Sequence, residues 1–186
     1  YRDANRTCVF LGYGNGTFTK QIFYSTGAML SPDLIAIGDI NKDGNLDIVV
    51  GTTLDNRIGI LYGNSDGTFS ATTTYLISSQ TYLTSITVAD LNNDDALDIV
   101  TTDWAIDNNH LGAIGVLFGY GNGNFTALKM YPTGYDTNPM FAVVANFTGD
   151  DQPDMVVANY FSGSLGVFIR SSSEPYGIPL TFSTGS

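Results

Sequence analysis

The sequence is poor in basic residues. Its 186 residues include 7 Lys and Arg against 18 Asp and Glu, which gives a formal net charge of −11 at pH 7. Nucleic-acid-binding domains carry a basic patch or stripe that neutralises phosphates, and this chain has no such stripe. The composition therefore predicts no nucleic-acid partner.

The chain also has one cysteine and no long apolar run. Cys8 has no second cysteine to pair with, so it is either a small buried hydrophobic residue in a strand or half of a disulfide to sequence outside this chain. No apolar stretch reaches the ~18 residues that a membrane-spanning helix needs. We expect no membrane insertion.

Side chains that carry out catalysis are scarce. His110 is the only histidine, and no cysteine or serine motif surrounds it in AIDNNHLG. The GYGNG segments are followed by neither Lys-Ser/Thr nor a helix, so they are better explained as turns than as phosphate-binding loops. We predict that the chain is not an enzyme.

Short β-branched segments and glycines are abundant, with 21 glycines at the ends of apolar runs. No stretch shows sustained helical periodicity. One unit of the chain contains four predicted strands, LIAIGD, LDIVVGT, RIGILYG and TFSATTTYLI, separated by glycine and Asn/Asp turns. The pattern predicts an all-β fold.

A polar loop, GDINKDGNLDIVV at residues 38–50, has acidic or amide side chains at every second position. Positions 1, 3, 5, 7 and 9 are occupied by Asp39, Asn41, Asp43, Asn45 and Asp47. Gly44 at position 6 permits a sharp reversal, and the position-7 carbonyl would point inward, which is the spacing of an oxygen cage for a hard cation. Calcium suits this loop better than zinc because the loop has no Cys or His. Val50 stands where an EF-hand has Glu, so an EF-hand is excluded; an Asx-rich turn without metal is the alternative.

The same spacing occurs three times. The second loop has Asp90, Asn92, Asp94, Ala96 and Asp98 at the five positions, and the third has Asn146, Thr148, Asp150, Gln152 and Asp154. The first positions are separated by 51 and 56 residues, and two aromatic series keep step: Tyr24, Tyr75 and Tyr131; Phe18, Phe69 and Phe125. This period indicates a repeat architecture and strengthens the calcium interpretation.

Four strands in a unit of about 50 residues are typical of a β-propeller blade. The predicted fold is all-β, with about three and a half four-stranded antiparallel blades: an outer strand pair at 1–23 and blade repeats at 24–74, 75–130 and 131–186. Three and a half blades are too few to close a ring. We therefore expect part of a larger propeller, or a protomer whose open edges are completed by identical neighbours, as in a filament.

The motifs D-x-N-x-D-G-x-x-D-I-V-V, I-G-I-L-Y-G and G-x-F follow one another in the first unit, and related segments keep this order in the second and third. In this order they resemble the FG-GAP/VCBS repeats of integrin α-subunit-type propellers over residues 8–183. The resemblance implies two or three calcium ions, held by the five positions of each loop, and an extracellular, secreted module for adhesion or recognition. Two departures from the family pattern are Asp95 and Asp151, which replace the glycine of position 6.

Four sequons make the chain a candidate glycoprotein, at Asn5, Asn15, Asn124 and Asn146. Asn15 and Asn124 fall in the predicted turn between third and fourth strands, where a glycan could sit. Asn146 is also a candidate calcium ligand, and one role excludes the other.

Three functional classes follow from these patterns. The first is a non-catalytic calcium-binding structural or adhesive module, the second a carbohydrate-binding propeller, and the third an accessory domain of a larger hydrolase or lyase. Trp104, Tyr160 and Phe161 lie just past the second strands of consecutive units, where they either stack on a sugar or pack at a blade edge. The expected partners are further blades of the same chain, identical protomers, or a protein or glycan ligand.

Overall fold

The computed structural model describes residues 5–27, 32–53, 56–70, 73–77, 81–105, 111–171 and 176–185. These residues form strands and turns, which confirms the predicted all-β class. The strands build three four-stranded antiparallel sheets and one two-stranded pair, as expected for three blades and a half. Within these ranges there is no helix long and apolar enough to cross a membrane.

The strands are numbered along the chain. The leading pair contains β1 (Arg6–Val9) and β2 (Ile22–Ser25). The first sheet contains β3 (Leu34–Gly38), β4 (Asp47–Gly51), β5 (Arg57–Leu61) and β6 (Thr73–Leu76). The second contains β7 (Thr81–Ala89), β8 (Asp98–Ala105), β9 (Leu111–Leu117) and β10 (Lys129–Tyr135). The third contains β11 (Pro139–Ala145), β12 (Asp154–Asn159), β13 (Ser164–Phe168) and β14 (Leu180–Ser183).

Each sheet is a meander in which every strand pairs with the next along the chain. The loop between third and fourth strands is closed by an isolated bridge from a glycine to a phenylalanine, as in Gly63–Phe69 and Gly119–Phe125. Among the described residues of the fourth strand predicted over 68–77, Thr73–Leu76 form a regular strand and Phe69 belongs to this closing bridge.

The sheets stack face to face. Val49, Ile58 and Ile60 of the first sheet form one buried cluster with Ile86 and Ile99 of the second. The opposite face of the second sheet packs on the third in the same way, through Val100, Ile114 and Val116 against Met155 and Phe168. Strand β4 is buried along its whole length because both of its faces are covered. The first strands also contact one another, β3 with β7 and β7 with β11, which is how propeller blades are arranged around an axis.

The two ends of the stack expose apolar residues. The leading pair covers only part of the first sheet: Val9 and Tyr24 pack on Ile48, Val50 and Leu61. The first-strand residues Ile35 and Ile37 stay about 60% exposed beside them. At the other end, one face of the third sheet is uncovered within the described residues. We call it the terminal face, and its residues are Phe141, Val143, Val156, Leu165, Val167, Leu180 and Phe182.

Cys8 is exposed and free. The expectation that it is a buried hydrophobic residue is therefore wrong for this structure. Its partner across the pair is Phe23, itself about half exposed. Both belong to the face of the leading pair that turns away from the first sheet, where no described residues cover them.

The tyrosines of the repeat landmarks fall inside strands. Tyr24 and Tyr75 lie in the outermost strands β2 and β6, and Tyr131 lies in β10. Sequence units counted from these tyrosines are therefore offset from the sheets, each of which begins several residues later at β3, β7 or β11.

Candidate functional site

The three acidic loops occupy equivalent places in the fold. Each connects the first strand of a sheet to the second: residues 39–46 join β3 to β4, residues 90–97 join β7 to β8, and residues 146–153 join β11 to β12. Because the sheets are stacked in sequence order, the loops lie side by side along one rim of the molecule. Two hydrogen bonds link neighbouring loops: the Lys42 Nζ donates to the Asp94 carbonyl at 3.4 Å, and Asn93 Nδ2 to the Asp151 carbonyl at 2.8 Å.

The first loop is folded around its acidic side chains. The two carboxylate oxygens of Asp39 accept the N–H groups of Asp43 and Gly44 at 3.1 and 2.8 Å. The Asp43 carboxylate accepts the N–H of Asn45 and the side-chain amide of Asn41. These hydrogen bonds, with the Asn45 N–H first, hold the pKa of Asp43 below its ordinary value.

The second loop repeats this network. Asp90 accepts the N–H groups of Asp94 and Asp95, and Asp94 accepts the Ala96 N–H and the Asn92 amide. The same donors at the same positions give the same turn in two sequences that differ at positions 2, 4, 6 and 7. The alternating Asp/Asn pattern therefore determines the local fold.

Positions 4 and 6 are left-handed in all three loops. Lys42 and Gly44 have φ of 59° and 85°, and Asn93 and Asp95 have φ of 59° and 65°. Asp95 adopts the conformation expected of the glycine it replaces, and so does Asp151 with φ of 61°. Asn and Asp tolerate this region better than other non-glycine residues. The loss of glycine at position 6 thus leaves the turn intact.

The position-9 aspartates are fully buried and connect each loop to the third strand of its sheet. The two oxygens of Asp47 accept the N–H of Ile40 in the loop and of Gly63 just past β5, both at 2.8 Å. Asp98 makes the matching bonds to Leu91 and Gly119. Sequence reasoning assigned these aspartates only a ligand role. The repeated glycine after the third strand was the available signal for their structural role.

Those glycines have no room for a side chain. A Cβ at Gly63 would collide with the carbonyl oxygen of Leu46, and one at Gly119 with that of Leu97. The third sheet has Arg170 at this place; its N–H donates to Asp154 at 2.9 Å, and its guanidinium reaches the Asn92 carbonyl of the second loop.

Negative charge accumulates in the first two loops. Burial, together with the charges of Asp94 and Asp90, raises the pKa of Asp98 to about 6, although the N–H groups of Gly119 and Leu91 lower it. Burial likewise raises the pKa of Asp47, to which Asp43 and Asp39 add. In each loop, the carboxylates at positions 1 and 5 are therefore close enough to disfavour the charge of the buried aspartate at position 9. A divalent cation among them would offset this repulsion.

The possible ligands in these loops are oxygen atoms of several kinds, which is the type of ligand that a hard cation accepts. Among the described residues, no group of three His, Cys, Asp or Glu side chains alone is arranged to hold a metal. A calcium site here would also use the amide oxygens of Asn41 and Asn92 and the carbonyl oxygens of position 7. Carboxylate, amide and carbonyl oxygens together are the ligands that calcium accepts.

The third loop is built differently. Asn146 at position 1 accepts the N–H of Gly149 at 2.6 Å, instead of the N–H groups of positions 5 and 6. Asp154 keeps the buried position and accepts the Phe147 N–H. Asn146, Thr148 and Asp150 are all exposed. The structure therefore brings the third set of candidates to the same rim with a looser network and less charge.

The sequon and aromatic candidates are surface residues, and of these only Asn146 belongs to an acidic loop. The sequon residues Asn5, Asn15, Asn124 and Asn146 are all exposed. His110 lies outside the described residues. Trp104, Tyr160 and Phe161 lie at the rim opposite the acidic loops, at or just past the ends of β8 and β12, and each has more than a third of its surface exposed.

Comparison with known proteins gives one family match. A family model described as FG-GAP-like repeat matches residues 1–50 and 39–101, which together cover more than half of the chain. The matched ranges include the first two acidic loops and the leading pair. No curated protein matches the chain.

Proposed function

Because the chain belongs to the FG-GAP-like repeat family, we propose that it is a non-catalytic, calcium-binding extracellular module with a structural or adhesive role. The observation that carries the proposal is the repeated loop of Asp39 to Asp47 and Asp90 to Asp98. Both loops have the same hydrogen-bond network, the same left-handed positions and a buried aspartate whose charge two neighbouring carboxylates disfavour.

The proposed ligands are the five alternate positions of each loop. They are Asp39, Asn41, Asp43, Asp47 and the Asn45 carbonyl; Asp90, Asn92, Asp94, Asp98 and the Ala96 carbonyl; and, with fewer charges, Asn146, Thr148, Asp150, Asp154 and the Gln152 carbonyl. The bound ion would link the loop to the second strand, because its position-9 ligand is the first residue of that strand. The same aspartate also accepts a backbone N–H from the residue just past the third strand. Calcium would thus stabilise the edge at which three strands of a sheet meet.

We further propose that the terminal face is covered by another sheet of the same repeat type, from the same chain or an identical protomer. Leu165 is 38% exposed, whereas Ile58 and Ile114, which precede the equivalent glycines in the other sheets, are fully buried by the next sheet. The face carries no charged side chain. A sheet like the second or third offers the apolar surface that matches it.

Calorimetric titration with calcium tests the ligand assignment. Asp43→Ala removes one of three carboxylates at the ligand positions of the first loop, and Asp150→Ala removes one of two at those of the third. Because charge count and pre-formed geometry set calcium affinity, we expect Asp43→Ala to abolish a tight site and Asp150→Ala to affect at most a weak one.

The matched control is Asp66→Asn. Asp66 is an exposed carboxylate in a glycine-rich turn, where it accepts the N–H and hydroxyl of Thr68. This variant changes the net charge by the same amount outside the loops, so its calcium isotherm should equal that of the unaltered chain. Equal loss of calcium affinity in Asp66→Asn and Asp43→Ala would mean that the affinity depends only on the net charge of the chain.

A further inference from the structure

A cleft opens at the rim opposite the acidic loops, where the second and third sheets meet. It consists of two adjoining hollows of about 660 and 270 Å3 that share Trp104 and Asn138 as lining residues. Tyr82, Met140 and Tyr160 line the larger hollow, and Asp136 and Phe161 the smaller. The larger hollow falls in the range of about 300–1,000 Å3 that is typical of small-molecule sites, and the smaller one extends it.

Aromatic rings form much of the cleft wall. The ring of Trp104 packs against that of Tyr82, with centroids 5.9 Å apart, and this contact fixes its orientation. Tyr160 and Phe161 are about three-quarters exposed, although their neighbours in β12 are largely buried. Exposed rings of this size on a rigid turn offer flat, electron-rich faces to a ligand.

The cleft also has unused hydrogen-bond acceptors. The Oδ1 atom of Asn138 is buried and has no partner among the described residues. Asp136 adds a carboxylate to the smaller hollow. Both residues have left-handed backbones, with φ of 51° for Asp136 and 47° for Asn138. A buried acceptor without a partner is costly. Because this oxygen is covered in the unliganded chain, the amide has to turn toward the hollows, which Asn138 lines, before a ligand hydroxyl can donate to it.

The walls are held in place by hydrogen bonds that link separate segments. The N–H groups of Tyr160 and Phe161 donate to the carbonyls of Asn138 and Thr137, at 3.0 and 3.1 Å. From the second sheet, the Thr84 hydroxyl donates to the Pro139 carbonyl at 2.6 Å. The turn with Tyr160 and Phe161, the segment with Asn138 and the second sheet are thus held together before a ligand binds. This pre-organisation lowers the entropic cost of binding.

We propose that this cleft binds a neutral saccharide. The C–H face of a pyranose ring stacks on aromatic rings such as Trp104 and Phe161, while its hydroxyl groups donate to acceptors such as Asn138 Oδ1 and the Asp136 carboxylate. Two adjoining hollows suit an oligosaccharide of two or three units. The carboxylate and the net charge of −11 oppose an acidic glycan, and a quaternary ammonium ion would leave the Asn138 acceptor unsatisfied.

The single tryptophan of the chain makes the test specific, because Trp104 alone supplies the tryptophan fluorescence. The whole chain, saturated with calcium, is titrated with cellotriose, chitotriose, laminaritriose, mannotriose and lactose. We expect at least one of these neutral sugars to produce a saturable change in emission. No change with any of the five, or a response to sialyllactose or choline that exceeds the response to all five, would overturn the proposal.

Variants then locate the binding site. Phe161→Ala and Asn138→Gly should each weaken binding of the responding sugar about tenfold, since each removes a stacking surface or a hydrogen bond of that order. Glycine keeps the left-handed backbone of residue 138, and Asn138→Asp, which keeps an acceptor, should retain most of the affinity. Tyr13→Ala removes an exposed ring between the two strands of the leading pair and should leave sugar affinity unchanged. Unchanged binding in both Phe161→Ala and Asn138→Gly would contradict the assignment.

This inference is independent of the calcium proposal. The cleft lies at the opposite end of the strands from the acidic loops. The Asp43→Ala variant should therefore bind the sugar as tightly as the unaltered chain does. A melting curve checks that this variant is folded. If the unaltered chain bound the sugar but no calcium, this inference would remain in place and only the calcium proposal would be rejected.

Discussion

At the residue scale, the buried aspartates explain how a polar loop and an apolar strand meet. Asp47 and Asp98 are inaccessible to solvent, yet each of their carboxylate oxygens accepts a backbone N–H. Buried polar groups are tolerated when their hydrogen-bonding capacity is used. These side chains therefore fix the position of each loop relative to the strands of its sheet.

Replacing Asp98 by Asn should destabilise the fold even without calcium. An amide offers one acceptor oxygen where the carboxylate offers two, so either the Leu91 or the Gly119 N–H loses its partner in a buried place. We expect a loss of about 1–3 kcal/mol in the free energy of unfolding, measured by urea denaturation in EDTA. Asp66→Asn is the exposed control; equal midpoints for the two variants would show that the buried hydrogen bonds contribute nothing.

A second residue-scale prediction concerns the glycine after the third strand. Gly63→Ala places a methyl group against the Leu46 carbonyl, which the loop cannot move without disturbing Asp47. Overpacking of this kind costs about 1–3 kcal/mol. Gly177→Ala is the control because a Cβ there meets nothing within 4 Å. If thermal melts show the same stability for both variants, close packing does not explain the glycine.

At the scale of the elements, the sequence predicts the strands that are buried on both faces and the loops between them. The LDIVVGT segment gives β4 within one or two residues, because a continuous β-branched run ended by glycine has few other conformations. The alternating Asp and Asn side chains likewise predict the turn of the first loop, since each accepts a local backbone N–H.

Other features depend on tertiary context that the sequence does not display. In the segment predicted as one strand from Thr68 to Ile77, Phe69 pairs with Gly63 in an isolated bridge, and Thr73–Leu76 pair with the third strand. Cys8 is exposed because its face of the leading pair has no neighbour, which no local pattern reveals. Asn138 and Asp136 form part of the cleft through loop geometry alone. No sequence motif predicted the left-handed backbones of these two residues.

At the scale of the whole molecule, the stack has two unlike apolar ends. The terminal face is apolar along all four strands of the third sheet. The other end exposes Ile35 and Ile37 beside the incomplete leading pair. Contacts between unlike faces do not close by a two-fold axis and instead extend the array. Within the molecule, every face equivalent to the terminal face is covered by another sheet.

The isolated 186-residue chain should therefore self-associate. We expect light scattering to show particles larger than the 19.9 kDa monomer, growing with protein concentration, because an apolar sheet face favours association in water. Leu165→Asp, which puts a charge in the middle of the face, should shift the distribution toward monomer.

The control for this experiment is Ile178→Asp. Ile178 is 96% exposed and lies outside the terminal face, so its substitution should leave the particle size unchanged. A monodisperse monomer of the unaltered chain at all concentrations would show that the terminal face needs no cover, and the proposal of a further sheet would fail.

The thermal melting curve with and without calcium tests the central claim of a calcium-stabilised repeat most directly. An ion that binds only the folded state stabilises it by mass action, and a hundredfold excess over the dissociation constant contributes about 2.7 kcal/mol per site. We predict that excess calcium raises the melting temperature well above its value in EDTA, and that the combined variant Asp39→Ala with Asp90→Ala loses most of this increase. Identical melting curves in calcium and EDTA for the unaltered chain would contradict the account and leave the three loops as polar turns.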